Sequence, residues 1–71
     1  MQGLNPMAIG QKIAELRINH NESREDAAKA LKISPSALAM YEQGNRVPRD
    51  NIKIRIANHY GMTVGDIFFT S

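Results

Sequence analysis

Apolar residues near the start of the chain recur at helical spacing. Ile9, Ile13 and Leu16 fall at positions i, i+4 and i+7, which places them on one face of an α-helix. Asn5 or Pro6 marks the start of this helix, because proline fits the first helical turn. The pattern therefore predicts a first helix over residues 7–19.

Two short helices with a brief connection between them come next. Ser23 begins the first of them and Ser34 begins the second, each as an N-cap. Gly44 ends the second, since glycine readily takes the left-handed conformation just past a helix. The predicted bounds are about 24–31 and 35–43. So short a connection makes the two helices cross at a steep angle.

The fourth apolar segment fits two interpretations. Isoleucines alternate with charged residues after Asp50, which is typical of a strand. Ile52, Ile56 and Tyr60 nevertheless fall at i, i+4 and i+8, and a lone strand would have no partner here. We therefore predict a helix capped by Asp50, followed by one or two helical turns after Thr63. The whole pattern predicts an all-α fold of five short helices.

Length and composition narrow the function classes. The chain has 71 residues, which is one domain and excludes an enzyme with a cleft between domains. It has no Cys, and its first residues lack the basic start and apolar stretch of a signal peptide, so we expect a cytoplasmic protein. Nine Lys and Arg against seven Asp and Glu leave a net charge of +2, which permits a polyanionic partner without requiring one.

No residue pattern in the sequence indicates a catalytic site or a metal site. His20 and His59 lie on different predicted helices, with no Cys or paired acids at ligand spacing. Ser34 and Ser36 are a helix cap and a surface residue, and the chain has no glycine-rich phosphate loop. We expect no cofactor, no metal and no small-molecule ligand, and we expect a protein that is not an enzyme.

One stretch of the sequence carries a family resemblance. Residues 23–49, SREDAAKALKISPSALAMYEQGNRVPR, resemble the Cro/CI-type (XRE-like) helix-turn-helix family of bacterial and phage repressors. The features that match, in order along the chain, are Ala28, Ile33, Leu38, Tyr41-Glu42-x-Gly44, Pro48, Ala57 and Gly61-Met62-Thr63-Val64. The resemblance implies a compact five-helix bundle of the lambda-repressor-like helix-turn-helix type. The domain would span 7–71, after a flexible N-terminal segment 1–6.

The resemblance also implies a DNA-binding surface. The third helix would enter the major groove by its N-terminal end, held from beneath by Leu38 and Tyr41. The residues expected to read bases are Pro35, Ser36, Ala39, Met40 and Arg24. The residues expected to contact phosphates are Ser23, Arg24, Asn45, Arg46, Arg49 and Lys53.

Four other positions carry structural expectations. By resemblance, Arg17 pairs with Glu42 and fixes the third helix against the first. Lys32 stands where the family has a turn glycine, so it is expected at positive φ at a cost of about 1 kcal/mol. Glu22 replaces a usual apolar residue, which predicts a thinner edge of the core.

The implied reading face is poor in long polar side chains. Pro35, Ala39 and Met40 cannot make the bidentate hydrogen bonds that discriminate bases, although Ala39 and Met40 could contact thymine methyl groups. Ser36 could donate or accept a hydrogen bond. Specificity would then depend on DNA shape or on Arg24. The alternative is a domain that keeps the fold and has lost base readout.

The C-terminal end suggests self-association. Phe68 and Phe69 are adjacent, so both cannot point into the same core, and one is expected to be exposed. Relatives in the family dimerise through this end. The expected homodimer interface consists of Ile54, Val64, Ile67 and Phe69.

The leading hypothesis is a regulator that binds double-stranded DNA in a sequence-specific way. It would act as a dimer on a palindromic operator and repress transcription, and its small size suits a phage or mobile-element origin. Within the same class stand an antitoxin and a restriction–modification controller. The alternative class is a protein-interaction module or antitoxin-like partner with weak or no base readout.

Overall fold

Five helices make up the fold. The structure is a computed structural model that describes residues 4–69. The helices are α1 (Pro6–Asn19), α2 (Arg24–Leu31), α3 (Pro35–Glu42), α4 (Asp50–His59) and α5 (Val64–Phe68). Residues 4–69 contain no strand, which confirms the all-α prediction and the choice of helix for the fourth segment. Within the same range, no helix is long and apolar enough to cross a bilayer.

Side chains cap the start of four helices. Asn5 Oδ1 accepts a hydrogen bond from the Ala8 amide at 2.7 Å and so begins α1. Ser23 and Ser34 serve α2 and α3 in the same way, and Thr63 forms a full capping box for α5. The predicted cap of α4 was wrong. Asp50 is the first residue of that helix, and the capping position belongs to Arg49, whose side chain forms no capping bond.

The four longer helices all end in the same way. Within two residues of each helix end lies a residue with a positive φ, and the next amide donates to a carbonyl five residues back, as in a Schellman motif. Two of these residues are glycines, Gly44 and Gly61. The other two are Asn21 at φ 55° and Lys32 at φ 59°, which confirms the positive φ predicted for Lys32. Short connections between the helices follow from these endings.

The core lies where the five helices meet. α1 packs on α3 and α5, and α2 packs on α3 and α4. The side chains that fill the core are Ile9, Ile13, Ala27, Ala28, Leu31, Leu38, Tyr41, Ile56, Ala57, Tyr60, Ile67 and Phe68. The small Ala27 and Ala28 let α2 approach its neighbours closely, so α2 and α3 are held as one unit.

Gly10 allows a close approach between α1 and α3. A Cβ atom placed on this residue would lie 2.5 Å from the carbonyl oxygens of both Tyr41 and Glu42. No real Cβ tolerates backbone atoms at that distance. The absence of a side chain at Gly10 is therefore what lets α1 lie directly against the C-terminal end of α3.

The N-terminal boundary lies earlier than the sequence predicted. The segment expected to be flexible was 1–6, of which residues 1–3 lie outside the described range. The Leu4 amide donates to the Phe68 carbonyl at 2.9 Å, Asn5 caps α1, and Pro6 is the first residue of the helix. Leu4 to Pro6 are thus part of the folded domain, because backbone and side-chain hydrogen bonds fix them.

Candidate nucleic-acid interface

α3 has a buried side and an exposed side. Leu38 and Tyr41 are buried and anchor the helix on the core. The side chains that face outward are Pro35, Ser36, Met40 and, half-buried, Ala39. Ser34 begins the helix by accepting a hydrogen bond from the Ala37 amide. The surface predicted to read bases is therefore open along its length, as a helix that enters a groove must be.

The loop after α3 carries two cationic side chains. Arg46 and Arg49 are exposed, and neither forms an ion pair with another described residue. Pro48 between them is buried, which fixes the loop to the domain. The Asn45 side-chain amide donates to Gln43 Oε1 at 3.1 Å. The loop thus holds two unpaired guanidinium groups beside α3.

Glu42, the last residue of α3, accepts hydrogen bonds from two arginines. Arg17 on α1 donates from Nε to Oε2 at 2.6 Å and from Nη2 to Oε1 at 3.2 Å. Arg24 at the start of α2 donates from Nε to Oε1 at 3.1 Å. The hydrogen bond to Glu42 raises the pKa of Arg17 above its usual value, although burial opposes it. The group ties α1, α2 and α3 together where α3 ends.

Glu22 places a hydrogen-bonded carboxylate at the edge of the core, where the family resemblance implied an apolar residue. Tyr60 Oη donates to Glu22 Oε1 at 2.8 Å, and His59 Nε2 lies 2.6 Å from Glu22 Oε2. Burial tends to raise the pKa of Glu22, but the bonds from His59 and Tyr60 outweigh it and lower that pKa. Arg17 Nη1 also donates to the Glu22 carbonyl at 2.9 Å. Through these hydrogen bonds, Glu22 connects the end of α1 to the end of α4.

Ser23 stands at the amino end of α2, where a phosphate contact was predicted. Its Oγ accepts a hydrogen bond from the Asp26 amide at 3.0 Å, which leaves the hydroxyl hydrogen free to donate to an external oxygen. Glu25 and Asp26 occupy the first turn of the same helix, and their negative charge works against an anion.

Lys53, predicted as a phosphate contact, has aromatic rings and a carboxylate close to its ammonium group. Its ammonium group lies 5.5 Å from the centre of the Phe68 ring and 5.6 Å from that of Phe69, and 3.9 Å from Asp50 Oδ1. Aromatic faces and a carboxylate therefore hold the charge in the groove between α4 and α5. Local spacing does not indicate this arrangement, because the phenylalanines follow Lys53 by fifteen residues and more.

The predicted dimer residues divide into two groups. Ile54, Val64 and Phe69 line an open groove between α4 and α5, and Ile54 is 51% exposed. Ile67 is fully buried, so its assignment to an interface was wrong. The helical period turns Ile67 and Phe68 into the core and leaves Phe69, which lies at the end of α5, half-buried at the groove.

The arrangement matches a known family over most of the chain. A family profile described as a helix-turn-helix domain matches residues 8–67. The chain belongs to this helix-turn-helix domain family. An uncharacterized HTH-type transcriptional regulator of Methanocaldococcus jannaschii is 33% identical over 57 residues, which cover 80% of this chain and 86% of that relative.

Solved structures share the fold of this helix-turn-helix protein. The clp gene regulator ClgR from Corynebacterium glutamicum superposes with a TM-score of 0.82 at 21% identity, covering 94% of this chain and 71% of that one. The restriction-modification controller protein C.AhdI from Aeromonas hydrophila gives a TM-score of 0.81 at 22% identity, covering 87% and 94%. The fold is thus the five-helix bundle of the lambda-repressor-like type.

Three features of the helix-turn-helix site were missed in the sequence. Gly10 interrupts an otherwise regular helical pattern, and an isolated glycine there is the available signal for a close backbone approach. The second arginine on Glu42 has no signal, since Arg24 and Glu42 are eighteen residues apart. The bonds from His59 and Tyr60 to Glu22 are also between residues distant in the chain.

Proposed function

We propose that this helix-turn-helix protein is a sequence-specific regulator that binds double-stranded DNA through α3. The observation that carries the proposal is the exposed face of α3 beside two arginines, Arg46 and Arg49, that have no carboxylate partner among residues 4–69. A helix fits the major groove, and phosphates attract such unpaired guanidinium groups.

Base readout by α3 rests on small and apolar groups. Ala39 and Met40 offer methyl and thioether surface for thymine methyl groups, and the Ser36 hydroxyl can hydrogen-bond with a base edge. With so few polar side chains on α3, sequence preference depends on DNA shape and on Arg24. Ser23, Asn45, Arg46 and Arg49 contact phosphates and set the register.

The regulator acts as a homodimer on a palindromic operator and represses transcription in the cytoplasm. The groove between α4 and α5 supports the homodimer, because Ile54, Val64 and Phe69 present an apolar surface that a second copy would cover. Two copies related by a two-fold axis would place their α3 helices on half-sites of opposite orientation. Such a protein needs no cofactor and no enzymatic activity.

Duplex binding across a salt series tests the proposal. Fluorescence anisotropy with a mixed-sequence duplex is expected to show affinity that falls linearly on a log–log plot against salt. The double variant Arg46→Ala/Arg49→Ala is expected to reduce the slope by about 2, because each arginine that no longer meets a phosphate reduces it by about 1. Lys53→Gln is the matched control and leaves the slope unchanged, because Lys53 is held in the groove.

A protein-interaction module is the second candidate. The observation that favours it is the lack of long polar side chains on the exposed face of α3, where Pro35, Ala39 and Met40 dominate. The same titration separates the two functions. A module of this kind shows no duplex binding even at low salt.

A further inference from the structure

Arg24 differs from the exposed loop arginines, Arg46 and Arg49, in the way that it is held. Its side chain is 48% exposed, yet its Nε donates to Glu42 Oε1 at 3.1 Å, and the Glu42 side chain is only 2% exposed. Arg46 and Arg49 form no such bond within the described residues. One edge of the Arg24 guanidinium is thus fixed to the end of α3, while the rest of the group reaches solvent.

The geometry points to Glu42 as a positioning residue that presents the distal N–H groups of Arg24 to a paired acceptor on DNA. A guanidinium carries five N–H donors in a planar fork. With Nε engaged by Glu42, the donors on Nη1 and Nη2 remain as a parallel pair. Guanine offers two acceptors, O6 and N7, on its major-groove edge, and a phosphate offers two oxygens. This inference rests on the proposed DNA-binding function.

Glu42 can hold Arg24 without cancelling its attraction for DNA. Arg17 already supplies one positive charge to the carboxylate through two hydrogen bonds, at 2.6 and 3.2 Å. Arg17, Arg24 and Glu42 together therefore keep a net charge of +1. Arg17 has its Nε, Nη1 and Nη2 engaged by Glu42 and by the Glu22 carbonyl, so it acts as the fixed counter-charge. Of the two arginines on Glu42, Arg24 is the one that remains available to bind DNA.

Holding the side chain also removes part of the entropy loss on binding. A free surface arginine must be immobilised when it meets DNA, whereas one edge of Arg24 is already fixed. The same fixing leaves the Nη groups as the donors available to DNA. A lysine in this place would keep the charge but would lack the rigid pair of donors.

Equilibrium binding of a selected duplex tests the positioning role. Wild-type protein first enriches a consensus from a pool of randomised duplexes, and the consensus duplex then serves as the probe. Arg24→Lys is expected to weaken binding about tenfold, because lysine cannot form the bidentate pair of hydrogen bonds. Arg49→Lys is the matched control, and it is expected to change affinity less than about twofold because a lysine also serves as a phosphate contact.

A double-variant cycle then assigns the role of Glu42. Glu42→Gln is expected to weaken binding in the wild-type background and to have no further effect once Arg24→Ala is present, because it acts through Arg24. Thermal unfolding of each variant checks the fold. If Glu42→Gln does not fold, the comparison of Arg24→Lys with Arg49→Lys still tests whether Arg24 presents a paired donor to DNA.

Repeating the selection with Arg24→Lys distinguishes the two acceptors. Loss of a guanine from one position of the consensus assigns the contact to a base, and an unchanged consensus with weaker binding assigns it to a phosphate. The inference is overturned if Arg24→Lys binds as tightly as the wild type, or if Glu42→Gln weakens Arg24→Ala as much as it weakens the wild type. A wild-type protein that enriches no sequence and binds no duplex overturns the proposed function itself.

Discussion

Gly10→Ala tests the close approach of α1 to the end of α3. The added methyl group would lie 2.5 Å from two carbonyl oxygens, those of Tyr41 and Glu42, and 2.9 Å from the Glu42 carbonyl carbon. All three atoms belong to backbone, which cannot rotate away as a side chain can. α1 and α3 must therefore move apart, and the Arg17–Glu42 bonds lengthen with them.

The size of the effect follows from two opposing terms. Forcing a methyl group into a filled site costs about 1–3 kcal/mol, and rigid backbone on one side favours the upper end of that range. Alanine in a helix interior returns about 0.5–1 kcal/mol relative to glycine. We expect a net loss of about 2 kcal/mol in the free energy of unfolding, which lowers the melting temperature by about 10 °C in a domain of this size.

Urea denaturation and thermal unfolding followed by circular dichroism measure this change. Gly65→Ala in α5 is the matched control, because its nearest contact would be an ordinary 3.7 Å from Thr63 Oγ1. That variant is expected to be as stable as the wild type or slightly more so. A Gly10→Ala protein with an unchanged urea midpoint would refute the packing argument, since it would mean that α1 and α3 have room between them.

Three further predictions concern the ends and edges of the fold. Lys32→Gly relieves a lysine at φ 59° and is expected to raise the free energy of unfolding by about 0.5–1 kcal/mol in urea titrations. The pKa of Glu22 is lowered in the fold, so the stability it adds is present above its usual value of 4.5 and is lost as the pH falls through the lower folded pKa. Glu22→Gln is therefore expected to flatten the acid limb of the melting temperature against pH. Ile54→Glu is expected to weaken the dimer in sedimentation equilibrium, because it puts a charge on the apolar groove.

Each of these has a matched comparison and a contradicting result. Lys29→Gly lies inside α2 and is expected to destabilise by about 1 kcal/mol, so a loss for Lys32→Gly as well would contradict the turn argument. An acid limb that is the same in Glu22→Gln and the wild type would mean that this carboxylate adds no pH-dependent stability. Ile18 on α1 is 60% exposed, and Ile18→Glu should leave self-association unchanged. Equal effects of the two isoleucine variants would contradict an interface at Ile54.

The helices themselves could be predicted because their signals are local. Ser23, Ser34 and Thr63 begin helices within a few residues of where they stand, and Gly44 ends one by its own conformational freedom. The inward side of α3 also followed from spacing, since Leu38 and Tyr41 lie three residues apart and both are buried. Periodicity and capping are properties of neighbouring residues, so a sequence displays them directly.

The contacts of the site that could not be predicted join residues that are distant in the chain. Lys53 has the spacing of a surface cation, and only the packing of α5 brings two aromatic rings to it. Glu22 is a charged residue at an apolar position, and its hydroxyl and imidazole partners come from the end of α4. The pairing of Arg24 with Glu42 likewise requires the crossing of α2 and α3 to be known.

Chemical-shift mapping shows whether α3 and its flanking loops form the surface that meets DNA. A titration of ¹⁵N-labelled protein with a short duplex reports which backbone amides change their environment on binding. We expect the largest shifts at the start of α2, along residues 36–40 and in the loop 45–49. Shifts concentrated instead in the groove formed by α4 and α5, or no shifts at low salt, would contradict DNA binding through α3.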